Sequence, residues 1–318
     1  MKRSVQKQYL NNSKNILSEA KLKLKAIVMD QDGTVKGGRN PKYSEADVVR
    51  LVQKIAKAGI YPVIITASGA SALKSLSSMN NFYTQKQYST STYISIGNGS
   101  ALYRYNTGGR IKIYNRELTL DEEIAIIRIW ENVYGTLGVK VKDLQQKGIE
   151  TLKRFIMTDW TGYIPPKYVE LFKQYGGRCF TEPVKVTVVF PVWEEERQRE
   201  LVKQMQMKLD NQLGKNKYVA MRGDDTFLHI NHSFNVDPKL FALRTVMKEL
   251  SLHAKNIVAL GDLPLDNDRG LLVESRLPYT FTNHEFGKHN LNKPPYILPD
   301  SAVSPVGSVY EAIDYLLS

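Results

Sequence analysis

The chain has 318 residues, 42% hydrophobic and 24% charged, a composition typical of a globular protein with one large or two medium-sized domains. Cys179 is the only cysteine, which excludes an intrachain disulfide and argues against a cysteine-based zinc site. The polar, basic segment 1–12 lacks the apolar run of a signal peptide, and no stretch is long and apolar enough to span a bilayer. We therefore expect a cytoplasmic protein with no membrane partner.

The net charge is +12, from 44 Lys and Arg against 32 Asp and Glu. Such a surplus attracts anions of every kind, including nucleic acids and phosphorylated metabolites. The basic residues are scattered along the chain, and the sequence contains no zinc finger or RNA-recognition motif. The pattern therefore favours a solvated basic surface over a nucleic-acid groove.

Short β-branched runs alternate with amphipathic helical stretches, which is the pattern of a parallel sheet covered by helices. The predicted elements, in chain order, are strand 25–29, helix 48–55, strand 61–65, strand 93–96, helix 120–134, strand 185–190, helix 194–213, strand 226–230, helix 240–250, strand 256–260, strand 279–282 and helix 309–317.

The pattern of predicted elements changes in the middle of the chain, where the predicted helices become longer. We predict an α/β fold with a Rossmann-like, parallel-sheet core built from residues 24–110 and 229–318. A second α/β domain, 111–228, is inserted into this core, and residues 1–23 form an N-terminal extension.

Three of the predicted core strands end in polar residues, at the edge where open parallel sheets bind ligands. Carboxylates crowded at such an edge repel one another unless a divalent cation lies among them, and an all-oxygen ligand set favours magnesium. An EF-hand calcium loop would need glycine at its sixth position, whereas Gly33 is the fourth residue from Asp30. The residues at this edge are Asp30 and Asp32 after the first strand, Thr66 after the second, and Asp262, Asp266 and Asp268 after the strand 256–260. For Asp268 two interpretations stay open, a residue that begins the next helix or one that supports the metal ligands from behind.

Asp30 and Asp32 are two residues apart, so on an extended segment their side chains point the same way. That spacing suits a nucleophile beside an acid/base group. An isolated Asp-x-Asp-Gly more often marks only a turn, with the first Asp capping the next helix. Here the other strand ends supply further carboxylates, which favours a chemical role.

The segment DQDGT at 30–34 resembles the first motif of the haloacid-dehalogenase (HAD) superfamily. Thr66 resembles the second motif, Lys239 in VDPKLFAL the third, and GDLPLD at 261–266 the fourth. All four occur in the order found in that superfamily. The resemblance covers about residues 24–110 and 229–318, the predicted core.

The segment YISIGNGSALY, with Asn98 and Gly99, is similar to the end of the third core strand in the HAD branch that carries a large α/β cap. That branch includes Cof-type, sucrose-phosphate and trehalose-phosphate phosphatases and phosphomannomutases. Two departures stand out. Ala67 and Ser68 replace the Gly-Arg that often follows the second-motif threonine, and Leu265 replaces the asparagine common before the last aspartate.

The resemblance implies a magnesium-dependent phosphatase that forms an aspartyl-phosphate on Asp30, with Asp32 as the general acid/base. The implied magnesium ligands are Asp30, Asp32 through its main-chain carbonyl, Asp262, and Asp266 either directly or through water. The residues implied to hold the phosphoryl oxygens are Thr66 and Lys239.

In this branch the cap, here 111–228, closes over the active site and supplies substrate contacts. Arg222, in the turn MRGDD, is a candidate for contacting an anionic or polyhydroxylated substrate, although an exposed turn arginine is the commoner situation. Lys185 and Arg154 are weaker candidates. His229 and His232 have no third metal ligand nearby in sequence, so we interpret them as a packed strand histidine and a hinge histidine.

The expected partner is a small phosphorylated metabolite, with a sugar phosphate as the first expectation. The alternative within phosphoryl transfer is a mutase resembling phosphomannomutase, which must keep water away from its phosphoenzyme. A different class, a non-enzymatic nucleic-acid binder, is motivated only by the charge of +12. Nothing in the sequence predicts an oligomeric state.

Overall fold

The computed structural model describes residues 13–37, 43–69, 72, 82–83, 88–136, 179–182, 184–189, 194–223, 227–264, 266–283, 296–298 and 304–318. The chain forms two compact units. The first comprises Met1–Ser68, Ser75–Tyr114 and Asp237–Ser318, and the second comprises Gly69–Lys74 and Asn115–Val236.

The described strands are, in chain order, β1 (Ala26–Met29), β2 (Tyr61–Ile65), β3 (Thr92–Ile96), β4 (Ala101–Asn106), β5 (Gly109–Asn115), β6 (Cys179–Glu182), β7 (Lys185–Val189), β8 (Tyr218–Arg222), β9 (Phe227–His232), β10 (Ile257–Gly261), β11 (Tyr279–Thr282) and β12 (Tyr296–Ile297). The described helices are α1 (13–21), α2 (Glu45–Lys57), α3 (Leu120–Thr136), α4 (Glu195–Leu213), α5 (Pro238–Glu249), α6 (Arg269–Leu272) and α7 (Pro305–Leu317).

The first unit is built on an eight-stranded sheet in the order β12-β11-β10-β1-β2-β3-β4-β5. The strands from β12 to β3 are parallel, and β4 pairs antiparallel with β3. The central strands are rich in Ile and Val and are buried along their length except at Tyr61, as expected for a parallel sheet covered on both faces. The predicted domain boundaries, 110/111 and 228/229, lie inside the strands β5 and β9. The boundaries between the two compact units in this part of the chain are at 114/115 and 236/237.

The register of the central strands decides which residues share one edge of the sheet. Met29 pairs with Leu260 on one side and with Ile64 on the other, in parallel. The residues that follow these three strands therefore emerge at the same edge. The chain segments beginning at Asp30, Thr66 and Asp262 meet there.

Part of the predicted N-terminal extension packs as part of the first unit. Leu17 and Ala20 of α1 are buried. The Ser13 hydroxyl donates to the carbonyl of Ile297 at 2.7 Å, and the Tyr279 hydroxyl donates to Glu19 at 2.7 Å. Helix α1 is thus attached to the β11 and β12 side of the sheet.

Helix α5 begins beside the turn that follows β3. The Asp237 side chain caps the helix by accepting from the backbone N–H of Leu240 at 3.1 Å, and Pro238 occupies the first turn. Gly99 lies against this helix start, and a Cβ there would overlap the Pro238 carbonyl. The close approach fixes the start of α5, and with it Lys239, against the end of β3.

The second unit contains an antiparallel sheet in the order β6-β7-β9-β8. Its core is formed by apolar side chains of the sheet and of α3 and α4, among them Trp130, Val186, Leu209 and Ile230. The Tyr218 hydroxyl on β8 donates to Glu122 on α3 at 2.6 Å. Among the described helices of the whole chain, none is long and apolar enough to cross a membrane.

Gly99→Ala should destabilise the protein more than Gly109→Ala, a matched control. Both glycines have a left-handed backbone, with φ of 97° and 95°, so both substitutions carry the same backbone cost of about 1–2 kcal/mol. A Cβ at Gly109 meets open space, whereas at Gly99 it meets Pro238, which should add about 1–3 kcal/mol. Urea denaturation measures the free energy of unfolding, and equal losses for the two variants would contradict the packing described for α5.

Candidate active site

Asp30 lies directly after β1 and is almost completely buried, at 3% exposure. Its backbone N–H donates to the carbonyl of Leu260 at 3.0 Å, which continues the pairing of β1 with β10 by one residue. Its carboxylate forms a group with those of Asp262 and Asp268, in which one oxygen of each lies within 4.8 Å of the others. Among the described residues, this is the group of acidic, His or Cys side chains that could hold a metal ion.

Lys239 provides the positive charge within this group. Its ammonium donates to Asp30 Oδ1 and to Asp268 Oδ1, both at 2.6 Å, and the side chain is completely buried. Lys239 is in the first turn of α5, where Asp237 and Pro238 define the helix start. A solvated lysine, the common situation before an amphipathic helix, is therefore excluded at this position.

Asp268 holds the loop after β10 in place. Its Oδ2 accepts from the backbone N–H groups of Asp262 and Leu263, at 2.9 and 3.1 Å. Glycine at 261 allows this approach, because a Cβ there would lie 2.7 Å from Asp268 Oδ2. Asp268 is thus bonded to Lys239 on one side and to the backbone around Asp262 on the other.

The sequence prediction named Asp266 as the last carboxylate of the fourth motif, whereas the third carboxylate of the group in the structure is that of Asp268. The backbone N–H groups of Asp266 and Asp268 both donate to the carbonyl of Leu263 at 3.0 Å. This turn carries the chain past Asp266 and directs the Asp268 side chain inward. Asp266 is half-buried and is not in the three-carboxylate group.

The shared burial of these carboxylates changes their acidity. Burial raises the pKa of Asp30 to about 8, although Lys239 opposes the shift, and the nearby Asp268 carboxylate adds to it. Burial and the Asp268 and Asp30 charges raise the pKa of Asp262 to about 9. Burial would lower the pKa of Lys239, but the charges of Asp268 and Asp30 outweigh burial, and the pKa rises. The ammonium alone therefore does not neutralise the group.

Gly33 and Thr34 bring the loop after β1 against Asp262. Gly33 has φ of 86°, and a Cβ there would overlap the Asp262 carboxylate. The Thr34 hydroxyl donates to Asp262 Oδ1 at 3.3 Å, and the Asn283 side-chain amide donates to the Gly33 carbonyl at 2.9 Å. The glycine of the Asp-x-Asp-Gly segment is thus needed for close approach as well as for its backbone conformation.

Asp32 is more accessible than Asp30, with 46% of its side chain exposed. The Ser68 hydroxyl donates to Asp32 Oδ2 at 2.6 Å, and the Lys36 ammonium lies 3.6 Å from Oδ1. In the sequence, Ser68 stands out only as a departure from the family pattern. The direct contact with Asp32 could not be read from the sequence, because the two residues are 36 positions apart.

Thr66 is completely buried at the end of β2. Its backbone N–H donates to Ser95 at 3.0 Å, its Oγ1 accepts from the backbone N–H of Ser68 at 3.0 Å, and its carbonyl accepts from the backbone N–H of Asn98 at 2.9 Å. Asn98 is also completely buried and has φ of 57°. Neither polar atom of its side chain has a hydrogen-bond partner within the described part of the chain. A buried polar group in such a backbone conformation is typical of functional sites.

Arg222 and Lys185, two of the candidate substrate residues, both lie in the second unit. The Arg222 guanidinium donates to Gln198 Oε1 at 2.8 Å and lies 3.7 Å from Glu195, so Arg222 is not an exposed turn arginine. Lys185 is buried on β7, at 4% exposure. Arg154 lies outside the described residues. Substrate contact by Arg222 or Lys185 stays a prediction.

His229 has the environment expected for a packed strand histidine, and His232 lies at the end of its strand. His229 is buried on β9, and its Nδ1 lies 3.0 Å from the Thr187 hydroxyl. His232, at the end of β9, stacks on the Tyr218 ring and lies 3.5 Å from Glu122. Neither is in the group of side chains that could hold a metal in the described residues.

No family model and no curated protein matches the sequence. Several solved structures match the fold. The IMP-bound, N-terminally truncated IMP-nucleotidase of Plasmodium falciparum has a TM-score of 0.52 at 13% identity, over 95% of this chain and 70% of that one. Trehalose-6-phosphate phosphatase of Aspergillus fumigatus has a TM-score of 0.52 at 13% identity, over 96% of this chain and 97% of that one. The protein SMU.1108c of Streptococcus mutans has a TM-score of 0.52 at 14% identity, over 93% and 100%.

This chain has the HAD fold. The predicted fold class, a Rossmann-like parallel-sheet core with an inserted α/β domain, is confirmed. The three carboxylates and Lys239 lie at the carboxyl edge of this sheet, where open α/β folds bind their ligands.

Without divalent metal, the protein should become less stable as the pH rises from about 4 to about 9. The pKa of Asp30 and of Asp262 is raised on folding, so across this range the folded state binds more protons than the unfolded state, and stability falls as these protons are lost. Asp262→Asn removes one titrating group and its repulsion of Asp30, so its stability should fall less steeply. Urea denaturation in chelator at about pH 5 and about pH 8 measures both slopes. A slope for Asp262→Asn as steep as that of the wild type would contradict the assignment.

Proposed function

We propose that this chain is a magnesium-dependent phosphomonoesterase that uses Asp30 as a covalent nucleophile on a small phosphorylated metabolite, with a sugar phosphate as the first substrate class to test. The observation that carries the proposal is the buried Asp30 carboxylate held at 2.6 Å by Lys239, beside the carboxylates of Asp262 and Asp268. A phosphoryl group brought to Asp30 would meet a fixed nucleophile and a fixed cation together.

The contact with Lys239 gives the two carboxylate oxygens of Asp30 different roles. Oδ1 accepts from the Lys239 ammonium, so Oδ2 is the oxygen that attacks phosphorus. As the Asp30–phosphorus bond forms, the bond to the leaving oxygen breaks. Lys239 and the Thr66 hydroxyl then stabilise the negative charge of the phosphoryl oxygens.

Asp32 moves the proton in both half-reactions. In the first, it donates a proton to the leaving oxygen. In the second, it takes a proton from the water that hydrolyses the phosphoaspartate, and the cycle returns to its starting state. The exposure of its side chain, at 46%, supports this role because the group must reach both the substrate and water.

The residues of the site fit a magnesium ion. The donor set is entirely oxygen, and three carboxylates share the single Lys239 ammonium, which leaves room for a further positive charge. Both oxygens of Asp268 already accept hydrogen bonds, so Asp30 and Asp262 would be the direct carboxylate ligands, with the main-chain carbonyl of Asp32. When bound, the ion supplies further neutralisation of the phosphoryl oxygens.

Two of the matching structures support a phosphatase activity. One is an IMP-nucleotidase and the other a trehalose-6-phosphate phosphatase, and both names denote the hydrolysis of a phosphate ester. The two proteins act on different substrates, a nucleotide and a sugar phosphate. The panel of candidate substrates should therefore include both classes.

Asp30→Asn should abolish phosphate release while leaving the fold intact, because an amide is a far poorer nucleophile than a carboxylate. The assay is phosphate release with Mg²⁺ from sugar phosphates, nucleoside monophosphates and p-nitrophenyl phosphate. Asp314→Asn is the control, since Asp314 is an exposed carboxylate paired with Lys54 on the surface. A variant Asp30→Asn within about tenfold of wild type, a barrier change of only ~1.4 kcal/mol, would refute the nucleophile assignment.

Asp262→Asn should remove the response of the protein to Mg²⁺. In the wild type, Mg²⁺ should raise the melting temperature and be required for turnover, since it binds the folded state. Asp268→Asn should also lose most of the activity, because Lys239 and the loop around Asp262 lose their partner. Asp266→Asn makes the same chemical change two residues away and should retain most of both responses. Equal losses of activity and of the Mg²⁺ response in Asp266→Asn and Asp268→Asn would contradict the greater importance of Asp268 for the site.

A further inference from the structure

Ser68 is fixed by three hydrogen bonds just beyond the end of β2. Its backbone N–H donates to Thr66 Oγ1 at 3.0 Å, and its carbonyl accepts from the backbone N–H of Gly97 at 2.8 Å. Its hydroxyl donates to Asp32 Oδ2 at 2.6 Å, the short distance typical of a hydrogen bond to a carboxylate. Ser68 thus connects the loop after β2 to the loop after β1.

The opposite side of the Asp32 carboxylate faces Lys36. The Lys36 ammonium lies 3.6 Å from Asp32 Oδ1 and 2.9 Å from Glu45 at the start of α2. The carbonyl of Lys36 accepts from the backbone N–H of Gly33 at 2.9 Å, which closes the turn that carries Asp32. The tighter contact is therefore the one made by Ser68.

We propose that Ser68 is a positioning residue that holds the Asp32 carboxylate for proton transfer. This inference rests on the proposed function. An aspartate with 46% of its side chain exposed would otherwise sample several rotamers. The Ser68 hydroxyl occupies Oδ2, so Oδ1 is the oxygen that exchanges the proton with the leaving group and with water. Proton transfer depends steeply on such placement.

A purely local role for Ser68 does not account for this contact. Serine in a turn usually bonds to its own neighbouring backbone through the hydroxyl. Here the backbone N–H of Ser68 makes the local contact, to Thr66, and the hydroxyl reaches a residue 36 positions away. The sequences that this chain resembles often have Gly-Arg after the threonine, so the serine hydroxyl is a feature of this chain rather than of the pattern.

The proton balance of the two half-reactions defines what Ser68 contributes. In the first, Asp30 forms a bond to phosphorus while the bond between phosphorus and the leaving oxygen breaks. The proton of Asp32 passes to that leaving oxygen. In the second, water attacks the phosphorus of phosphoaspartate, its proton goes to Asp32, and Asp30 is released as a carboxylate. Ser68 keeps its own proton throughout. Its loss should therefore slow both steps, and slow the first most for poor leaving groups.

The test is a double-mutant cycle between Ser68→Ala and Asp32→Asn, with Ser68→Thr as the variant that restores the hydroxyl. Rapid quench measures phosphoenzyme formation from p-nitrophenyl phosphate and from an alkyl phosphate, and then phosphoenzyme decay. Ser68→Ala should slow formation about tenfold from the alkyl phosphate and less than about threefold from p-nitrophenyl phosphate. It should slow decay about tenfold, and Ser68→Thr should recover most of both rates.

The decisive comparison is the decay of the phosphoenzyme in the Asp32→Asn background. If Ser68 acts through Asp32, adding Ser68→Ala there should slow decay no further. Multiplication of the two losses, or equal losses on both substrates, would overturn the inference, and melting curves would show whether the fold had changed. If the wild type hydrolyses phosphomonoesters through Asp30 and Ser68→Ala has the same rates of phosphoenzyme formation and decay, this inference alone is overturned. A wild type that forms no phosphoenzyme would overturn the proposed function and this inference with it.

Discussion

The contact between the Lys239 ammonium and two carboxylates is the interaction on which the rest of the site depends. Charged groups buried in a protein are stable only when paired and hydrogen-bonded, and Lys239 is completely buried between Asp30 and Asp268. The ammonium must arrive from α5 while the carboxylates arrive from the ends of β1 and β10. The start of α5, set by the Asp237 cap and by the contact of Pro238 with the turn after β3, is therefore a requirement of the site as much as of the fold.

Small residues permit the loops to come close enough for these contacts. Gly33 lies against the Asp262 carboxylate, and Gly261 lies against that of Asp268. In each case a side chain would occupy the space of a carboxylate oxygen. The DQDGT and GDLPLD segments therefore combine acidic residues with glycines for one physical reason, because carboxylates from two loops must share a small buried volume. Burial, together with the neighbouring carboxylate charges, raises the pKa of Asp30 and Asp262 and makes the group a receptor for a cation.

Much of the fold could be predicted from the sequence, because the buried strands β1, β2 and β10 are continuous apolar runs that end in polar residues. The proximity of Asp30 to Asp262 at one edge of the sheet follows from those strand ends. Strands β4 and β5 are absent from the sequence prediction; in the structure β4 is mostly buried and β5 is half-buried or exposed along its length. The inward position of the Asp268 side chain depends on a turn around Leu263 that no spacing rule specifies. The contact of Ser68 with Asp32 joins two loops that meet only in the folded sheet.

The central claim is that Asp30 carries the phosphoryl group during turnover, and direct detection of that group tests it best. Wild-type protein with Mg²⁺ and p-nitrophenyl phosphate would be quenched in acid within one turnover, and its peptides mapped by mass spectrometry. The account predicts one added phosphoryl group on the peptide that contains Asp30, and its absence in Asp30→Asn. Turnover with no labelled peptide, or with the label on another residue, would contradict the account.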